Sequence, residues 1–285
     1  MTEELNLEKF NDEDIDELIK LSTSVGWDYD SYEIETILSS GAIFGFKNPA
    51  GKIVSSAAII PYNNEIASIG MVIVHKNFRN MGLGRKTTQK CIEFVSSDLP
   101  IMLISTDEGK YLYERLGFET KDSISKYLCS KYESARQVKY NDLIIEDFKR
   151  NHFNKILDLD EGAYGVRRET FLSARIKQCT QCKVVKDINN KIIGFGISVQ
   201  GPVNLTLGPI VAPDNETAKA LIDNLAYNHK GYLRIDITSR NDCLTNFLKK
   251  RGFENVSNPP VMIINSDRMP ERNNTLWAIS AQVFG

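Results

Sequence analysis

Val74-His75-Lys76-Asn77-Phe78-Arg79-Asn80-Met81-Gly82-Leu83-Gly84 is the stretch on which the reading of this chain turns. It joins a long apolar run without charge, Ile66 to Val74, to a segment in which Leu83, Thr87, Cys91, Phe94 and Val95 fall on one helical face. The pattern predicts a strand, a turn and a helix. Gly82 and Gly84 carry no Cβ, so the backbone can bend sharply and approach a ligand closely. The first N–H groups of the following helix have no intrahelical partner and favour an anion. Arg79 and Arg85 add positive charge at either end of the turn, which suits a pyrophosphate. Two other phosphate loops are excluded. Gly84-Arg85-Lys86-Thr87 lacks the Gly-Lys-Thr/Ser order of a P-loop and its upstream glycine, and a dinucleotide fingerprint would need a glycine at position 87.

Working outward, Asn11 is placed to cap a helix with Asp14 at its third position, and Ile15, Leu18 and Ile19 lie on one face of it until Gly26. Phe44 to Lys47 and Lys52 to Ile60 flank Asn48-Pro49-Ala50-Gly51 and read as a hairpin. Ile101 to Ile104 is a short β-rich run buried on both sides, and Tyr111 to Leu116 is a short helix closed by Gly117. The order of elements predicts a mixed sheet with helices on its faces, an α/β (α+β) fold.

The pattern occurs twice. Leu7-Glu8-Lys9-Phe10 returns as Ile145-Glu146-Asp147-Phe148, and Gly70-Met71-Val72-Ile73-Val74 as Gly208-Pro209-Ile210-Val211-Ala212, both at an offset of 138. Lys52-Ile53-Val54 returns as Lys191-Ile192-Ile193 at 139, and Arg115-Leu116-Gly117-Phe118-Glu119 as Lys250-Arg251-Gly252-Phe253-Glu254 at 135. A collinear period this long implies two copies of one domain rather than a solenoid. The expected division is 1–130, a linker over 131–141, and 142–285. A chain of 285 residues is also at the size where one hydrophobic core gives way to two.

Composition narrows the classes. With 42% hydrophobic and 25% charged residues, disorder, collagen and coiled coil are excluded as the main architecture. With 35 basic against 37 acidic residues there is no overall basic field for nucleic acid. Five cysteines in a chain of this length do not make a disulfide framework, and the acidic start Met1-Thr2-Glu3-Glu4-Leu5 lacks the features of an export signal; a cytoplasmic location is expected. The uncharged stretch Ile192 to Pro213 holds four glycines and three prolines and reads as strands with a turn near Gln200-Gly201-Pro202 rather than a membrane span.

The loop from Val74 to Gly84 resembles the acyl-CoA loop of the GNAT (Gcn5-related) N-acetyltransferases, Arg/Gln-x-x-Gly-x-Gly/Ala after a strand. Tyr113-Glu114-Arg115-Leu116-Gly117-Phe118-Glu119 resembles the late motif of that family at the expected distance. The whole chain is similar to a subgroup with tandem GNAT domains, whose second-domain hallmarks appear as Ala163-Tyr164-Gly165-Val166-Arg167-Arg168 and Gly208-Pro209-Ile210-Val211-Ala212. The resemblance implies two mostly antiparallel GNAT-like sheets flanked by helices. It further implies transfer of an acetyl group from acetyl-CoA to a primary amine of a small molecule or peptide, with no metal.

On that resemblance, Arg79, Asn80, Met81, Gly82, Leu83, Gly84 and Arg85 hold the pyrophosphate. The N–H groups around Val72, Ile73 and Val74 bind the pantetheine arm and stabilise the tetrahedral oxyanion. Tyr113 is the expected general acid for the departing thiolate, its ordinary pKa of about 10 keeping the proton on at neutral pH; packing on Phe118 is its alternative role. The glutamate that many members place near position 68 is missing, for that residue is Ser68. Glu65 is taken as the base acting through water, with Asp28, Glu33 and Glu108 as alternatives and exposed His75 as a weaker one.

Trp27, Tyr29 and Glu33, in the aromatic and acidic segment 26–33, suit a cationic amine, although a capping loop with solvated acids would look the same. In the second copy Glu216 to Leu221 replace the glycine loop and Leu248 stands opposite Tyr113, so one active site is expected, in the first domain. Arg167, Arg168 and Arg175 read as a solvated helix face. Cys179-Thr180-Gln181-Cys182 is a lone pair without a second one, which does not make a zinc site. A second class of function, an acyl-CoA-binding regulatory protein with little turnover, fits the same loop and the missing glutamate. The expected partners are the amine acceptor and, at most, a second copy of the chain as a homodimer, with neither membrane nor nucleic acid.

Overall fold

The computed structural model describes residues 5–133, 143–238 and 242–285, so the linker expected at 131–141 lies outside the described residues from 134 onward. The chain forms two compact units. The first comprises Met1–Lys121, Val261–Met269 and Val283–Gly285, the second Asp122–Pro260 and Pro270–Gln282.

In the first unit the elements are β1 (Asn6–Phe10), α1 (Ile15–Ser24), α2 (Ser31–Ser40), β2 (Ala42–Lys47), β3 (Ile53–Tyr62), β4 (Ile66–Val74), α3 (Leu83–Ile92), β5 (Ile101–Ile104), α4 (Asp107–Glu114) and β6 (Glu119–Ser123). The expected Asn11 cap is present: its side chain accepts from the Glu13 N–H, and its own N–H donates to Asp14 at 3.0 Å. The sequence reading missed α2, because the segment before it was taken for a loop of aromatics and acids. Asp30 caps this helix by accepting from the Glu33 N–H, and Ile34 and Ile37 are buried beneath it.

After β6 come β7 (Ser125–Cys129), β8 (Ile144–Asp147), α5 (Phe153–Tyr164), α6 (Glu169–Gln178), β9 (Gln181–Lys186), β10 (Ile192–Gln200), β11 (Asn204–Val211), α7 (Asn215–Ala226), β12 (Tyr232–Ile237), α8 (Asp242–Lys250), β13 (Phe253–Ser257), β14 (Pro260–Ile264) and β15 (Leu276–Ala278). The two sheets run β1-β2-β3-β4-β5-β14-β6 and β13-β7-β12-β15-β11-β10-β9-β8. The units therefore do not follow a linear cut at 130 and 142. β7 leaves the first copy and pairs antiparallel with β12 and β13, while β14 pairs antiparallel with β5, Val261 opposite Ile104. Tyr127 and Cys129 of β7 are buried in the core that α7 and α8 cover, and Met262 of β14 is buried in the core of the first sheet.

Residues alternate across β3 and β4. Ala57, Ile59, Ala67 and Ile69 join Cys91, Leu103, Tyr113 and Phe118 in one cluster on the α3 side. Ala58, Ile60, Tyr62, Ser68 and Gly70 point to the opposite face, where α1 packs on β3 and β4. Burying each large apolar side chain of such a cluster contributes about 1.5–3 kcal/mol. The stretch Ile192 to Pro213 forms β10 and β11 with the expected turn between them, and among the described residues no helix is long and apolar enough to cross a membrane.

Candidate functional site

The site begins with a fork in the first sheet. β4 pairs parallel with β5 only from Ala67 to Ile69, opposite Ile101 to Leu103, so the edge of β4 from Gly70 to Val74 parts from β5. Within that stretch Met71 and Val72 together oppose Ala57: the register on β3 shifts between Ser56 and Ala58, and Met71 adopts φ 51°. This is a β-bulge, the device by which a strand re-aims its groups beside a site. Ser56 Oγ donates to the Met71 carbonyl at 2.9 Å and fixes the bulge.

The glycine loop follows directly. Asn80 and Gly82 both sit in the left-handed region, at φ 65° and 74°, and Gly82 is the residue before the first turn of α3. No side chain caps that turn, and the first helical bond is from the Lys86 N–H to the Gly82 carbonyl. The N–H groups of Leu83, Gly84 and Arg85 thus have no intrahelical partner, and they lie between exposed Arg79 and exposed Arg85. Met81 is also exposed, whereas Leu83 is buried and anchors the turn. A Cβ on Gly84 would come within 3.3 Å of Val74 and 3.6 Å of Leu112, so this glycine lets α3 pack closely on β4 and α4. The arrangement is an anion cradle at the mouth of the fork.

Tyr113 lies on α4, buried in the α3-side cluster with its ring 6.0 Å from Phe118. Burial, reinforced by nearby Cys91, pushes its phenol up, so the proton is held more firmly than on an exposed tyrosine. Packing on Phe118 and proton retention thus coexist. Glu65 is not brought to the fork. It lies in the β3–β4 turn, exposed and accepting from Asn63 Nδ2 at 2.9 Å. At about 3.3 Å per residue, β4 carries it roughly 23 Å from Val72. Glu65 thus stands at the end of β4 away from the bulge, at the turn where β3 returns. His75 is half-buried, and its Nδ1 accepts from the Asn77 N–H at 3.3 Å.

Trp27, Tyr29 and Glu33 lie in and just after the connection from α1 to α2. The Trp27 and Tyr29 rings stand 6.2 Å apart, and Ser22 Oγ holds the segment by accepting from the Tyr29 N–H and donating to the Trp27 carbonyl.

The second unit has the same frame, closed. β11 and β12 pair in parallel only from Asn204 to Thr206, as β4 and β5 do, but β15 fills the opening beyond. Trp277 Nε1 donates to the Ala212 carbonyl at 2.8 Å and Thr238 Oγ1 to the Leu276 carbonyl at 2.7 Å. The turn before α7 is capped by Asp214, whose carboxylate accepts from the Thr217 N–H at 2.8 Å. A negative side chain thus occupies the place an anion would take.

Two arginines read as solvated are buried. Arg168 makes two bonds to Asp160, at 2.9 and 2.7 Å, and stacks on Tyr164 with its guanidinium carbon 3.7 Å from the ring centre. Arg175 donates to Gln178 and to the Ser280 carbonyl. Arg167 alone matches the expectation, half-exposed among Asp158, Glu161 and Glu169. Cys182 is buried in β9, and among the described residues no cluster of His, Cys, Asp and Glu is placed to hold a metal ion.

Sequence reasoning also missed what Ser68 does. Its Oγ donates to the Val283 carbonyl at 2.9 Å, and Tyr62 donates to the Phe284 carbonyl at 2.8 Å. These partners lie 215 and 222 residues apart, and no local pattern announces them.

Comparison with known proteins agrees with this geometry. Sequence profiles of the acetyltransferase (GNAT) domain match residues 40–120 and, separately, 156–278. The uncharacterized N-acetyltransferase YitH of Bacillus subtilis (strain 168) is 33% identical over 278 residues, covering 97% of either chain. Among solved structures, a candidate acetyltransferase of Pyrococcus horikoshii superposes with a TM-score of 0.81 at 18% identity, over 99% of this chain and 96% of that one. A tandem GNAT protein from the clavulanic acid biosynthesis pathway gives 0.68 at 13% identity, over 93% and 100%. Fork, glycine loop and buried tyrosine are thus carried by a chain that belongs to the GNAT family of N-acetyltransferases and holds two such domains in tandem.

Proposed function

We propose that the first unit transfers an acetyl group from acetyl-CoA to a primary amine of a small molecule or peptide, directly and without an acyl-enzyme. Residues 79–85 hold the pyrophosphate, and the edge Val72–Val74 binds the pantetheine arm. N–H groups at the bulge stabilise the oxyanion as the amine attacks the thioester carbon. As the C–S bond breaks, the electron pair leaves with sulfur and Tyr113 delivers a proton to it. Trp27, Tyr29 and Glu33 receive the cationic acceptor. With Glu65 remote, Asp28, Glu33 and Glu108 are the carboxylates left to take the proton of the amine.

The observation that carries this reading is the contrast between the two units: an open fork before an uncapped helix in the first, a filled fork before an aspartate-capped helix in the second. Calorimetric titration with acetyl-CoA tests it. One molecule bound per chain is expected, with the affinity of Gly82→Glu at least about 30-fold lower; no binding by the unmutated protein overturns the reading. Ser68 in place of a carboxylate favours a second reading, a CoA-responsive regulator. Release of free CoA with any member of an amine panel decides for the enzyme, and binding without turnover on all of them decides for the regulator.

A further inference from the structure

The peptide between Met71 and Val72 is trans, so its carbonyl and its N–H point in opposite directions. The carbonyl is held from β3, where Ser56 Oγ donates to it at 2.9 Å. The Val72 N–H therefore points away from β3, toward the edge of β4 that has parted from β5.

The phase of the strand agrees. Successive N–H groups of a strand face opposite edges, so residues an even number apart share an edge. Yet the Ala67 N–H donates to the Pro100 carbonyl on the β5 side, while the His75 N–H donates to the Val54 carbonyl on β3, both at 2.9 Å. The bulge at Met71–Val72 reverses the phase between them, and it is this reversal that turns Val72 and Val74 to the fork. The bulge is held against a cost, since Met71 adopts φ 51°, which a non-glycine residue seldom takes. Ser56 and Met71 are both buried, where a hydrogen bond counts for more than in water, and a bond accepted by the carbonyl polarises the same peptide and makes its N–H a better donor.

The second unit lacks this device. Val211, the counterpart of Ile73 in the repeat, lies opposite Phe195 as Ile73 lies opposite Ser56. The filled fork thus has a phenyl ring where the open one has a hydroxyl.

We infer that Ser56 is a positioning residue for acetyl transfer: by holding the Met71 carbonyl it aims the Val72 N–H at the oxyanion formed when the amine attacks. This rests on the proposed function. The serine acts through one peptide plane, on the far side of β4 from the fork.

The test uses the full chain with Ser56→Ala and Ser56→Thr. Acetyl-CoA affinity is measured by calorimetry, turnover as free CoA released with an accepted primary amine, and the N–H contact by the infrared stretch of an isotope-labelled acetyl carbonyl in bound acetyl-CoA. Ser56→Ala is expected to lower kcat and kcat/KM together by about 10- to 100-fold, short of the roughly 100- to 1,000-fold cost of deleting an oxyanion donor. Affinity should stay within about twofold, because the interaction lost is one made in the transition state. The carbonyl band should move back toward its position in free acetyl-CoA. Ser56→Thr keeps the hydroxyl on a residue that suits a strand, and should recover most of the rate and the band. Unchanged rate and band in Ser56→Ala overturn the inference, and so does a Ser56→Thr as impaired as Ser56→Ala. A loss of affinity matching the loss of rate overturns it as well, since Ser56 would then shape the groove rather than aim the N–H. Binding without turnover leaves the band to decide: a shift in Ser56→Ala upholds the aiming of the N–H and an unmoved band overturns it. Absence of acetyl-CoA binding in the unmutated protein is a different failure, that of the proposed function, and takes the inference with it.

Discussion

Gly82 offers a sharp test of the anion cradle. It sits at φ 74°, and a Cβ there would meet no atom within 4 Å, so a side chain at this position disturbs nothing by contact. Gly82→Ala therefore carries only a backbone cost, roughly 1–2 kcal/mol for a non-glycine residue in the left-handed region. If the free loop escapes that cost by relaxing and the ligand restores it, the dissociation constant for acetyl-CoA rises about 5- to 30-fold. Gly82→Glu adds a negative charge beside the pyrophosphate. One unit charge against another at 4 Å is worth about 1 kcal/mol in water and about 4 kcal/mol near a protein surface. The sum, about 2–6 kcal/mol, predicts a loss of at least about 30-fold. Salt separates the two parts, because screening shortens from about 10 Å at 0.1 M to about 3 Å at 1 M. Calorimetry at both strengths should show the increment of Glu over Ala shrinking in high salt while the alanine effect persists. Equal affinities for the Ala and Glu variants at low salt would refute the placement of an anion at the start of α3.

Other consequences follow from the same geometry. Tyr113→Phe should lower kcat by about 100- to 10,000-fold with acetyl-CoA affinity nearly unchanged, and since burial pushes the Tyr113 phenol up, the unmutated enzyme should show no alkaline loss of rate from this group below about pH 10; a stopped assay across pH checks both. Asp160→Asn leaves the buried Arg168 guanidinium without its carboxylate, and urea unfolding should register a loss of about 3–5 kcal/mol. His152 has its pKa lowered from 6.5, by burial first, and its Nδ1 accepts from the Lys149 N–H. The unfolded chain therefore binds the proton more readily, and stability should fall as pH drops through about 6.5; His152→Asn should flatten that slope in thermal melts.

What the sequence disclosed was what contiguous residues encode. The strand Ile66 to Val74, the run Ile101 to Ile104 and the turn before α3 were legible because periodicity and glycine placement act within a few residues of each other. What crosses the chain was hidden. Strand β14 lies in the first sheet through pairing with β5, some 160 residues upstream, and apolar alternation in Val261 to Ile264 fits either sheet equally well. Arg168 looked solvated because Asp160 stands eight residues away, on another helix turn, and becomes a partner only when α5 and α6 fold back. The place of Glu65 is legible in another way: the strand rise alone sets position 65 well apart from position 72 along β4.

The glycine pair at positions 70 and 208, used first as a marker of the repeat, has a common physical cause. In the first unit Gly70 faces Val283; in the second, a Cβ on Gly208 would overlap the Ile279 carbonyl oxygen and stand 2.9 Å from its carbon. Both positions lie under a later part of the chain, so each is held to glycine by close approach rather than by a turn. The two differ in what must move. At Gly70 the obstacle is partly a side chain, whereas at Gly208 it is backbone in the segment that follows β15 and is tied by the Ile279 N–H to Asp236. Gly208→Ala should therefore cost at least the 1–3 kcal/mol typical of overpacking. Trp277, buried in β15, reports on this in urea unfolding once Trp27 is replaced by Phe to silence the first unit. A loss below about 0.5 kcal/mol, the range of neutral surface changes, would mean that β15 can withdraw from the second fork at little cost, and the distinction drawn between an open and a filled fork would not hold.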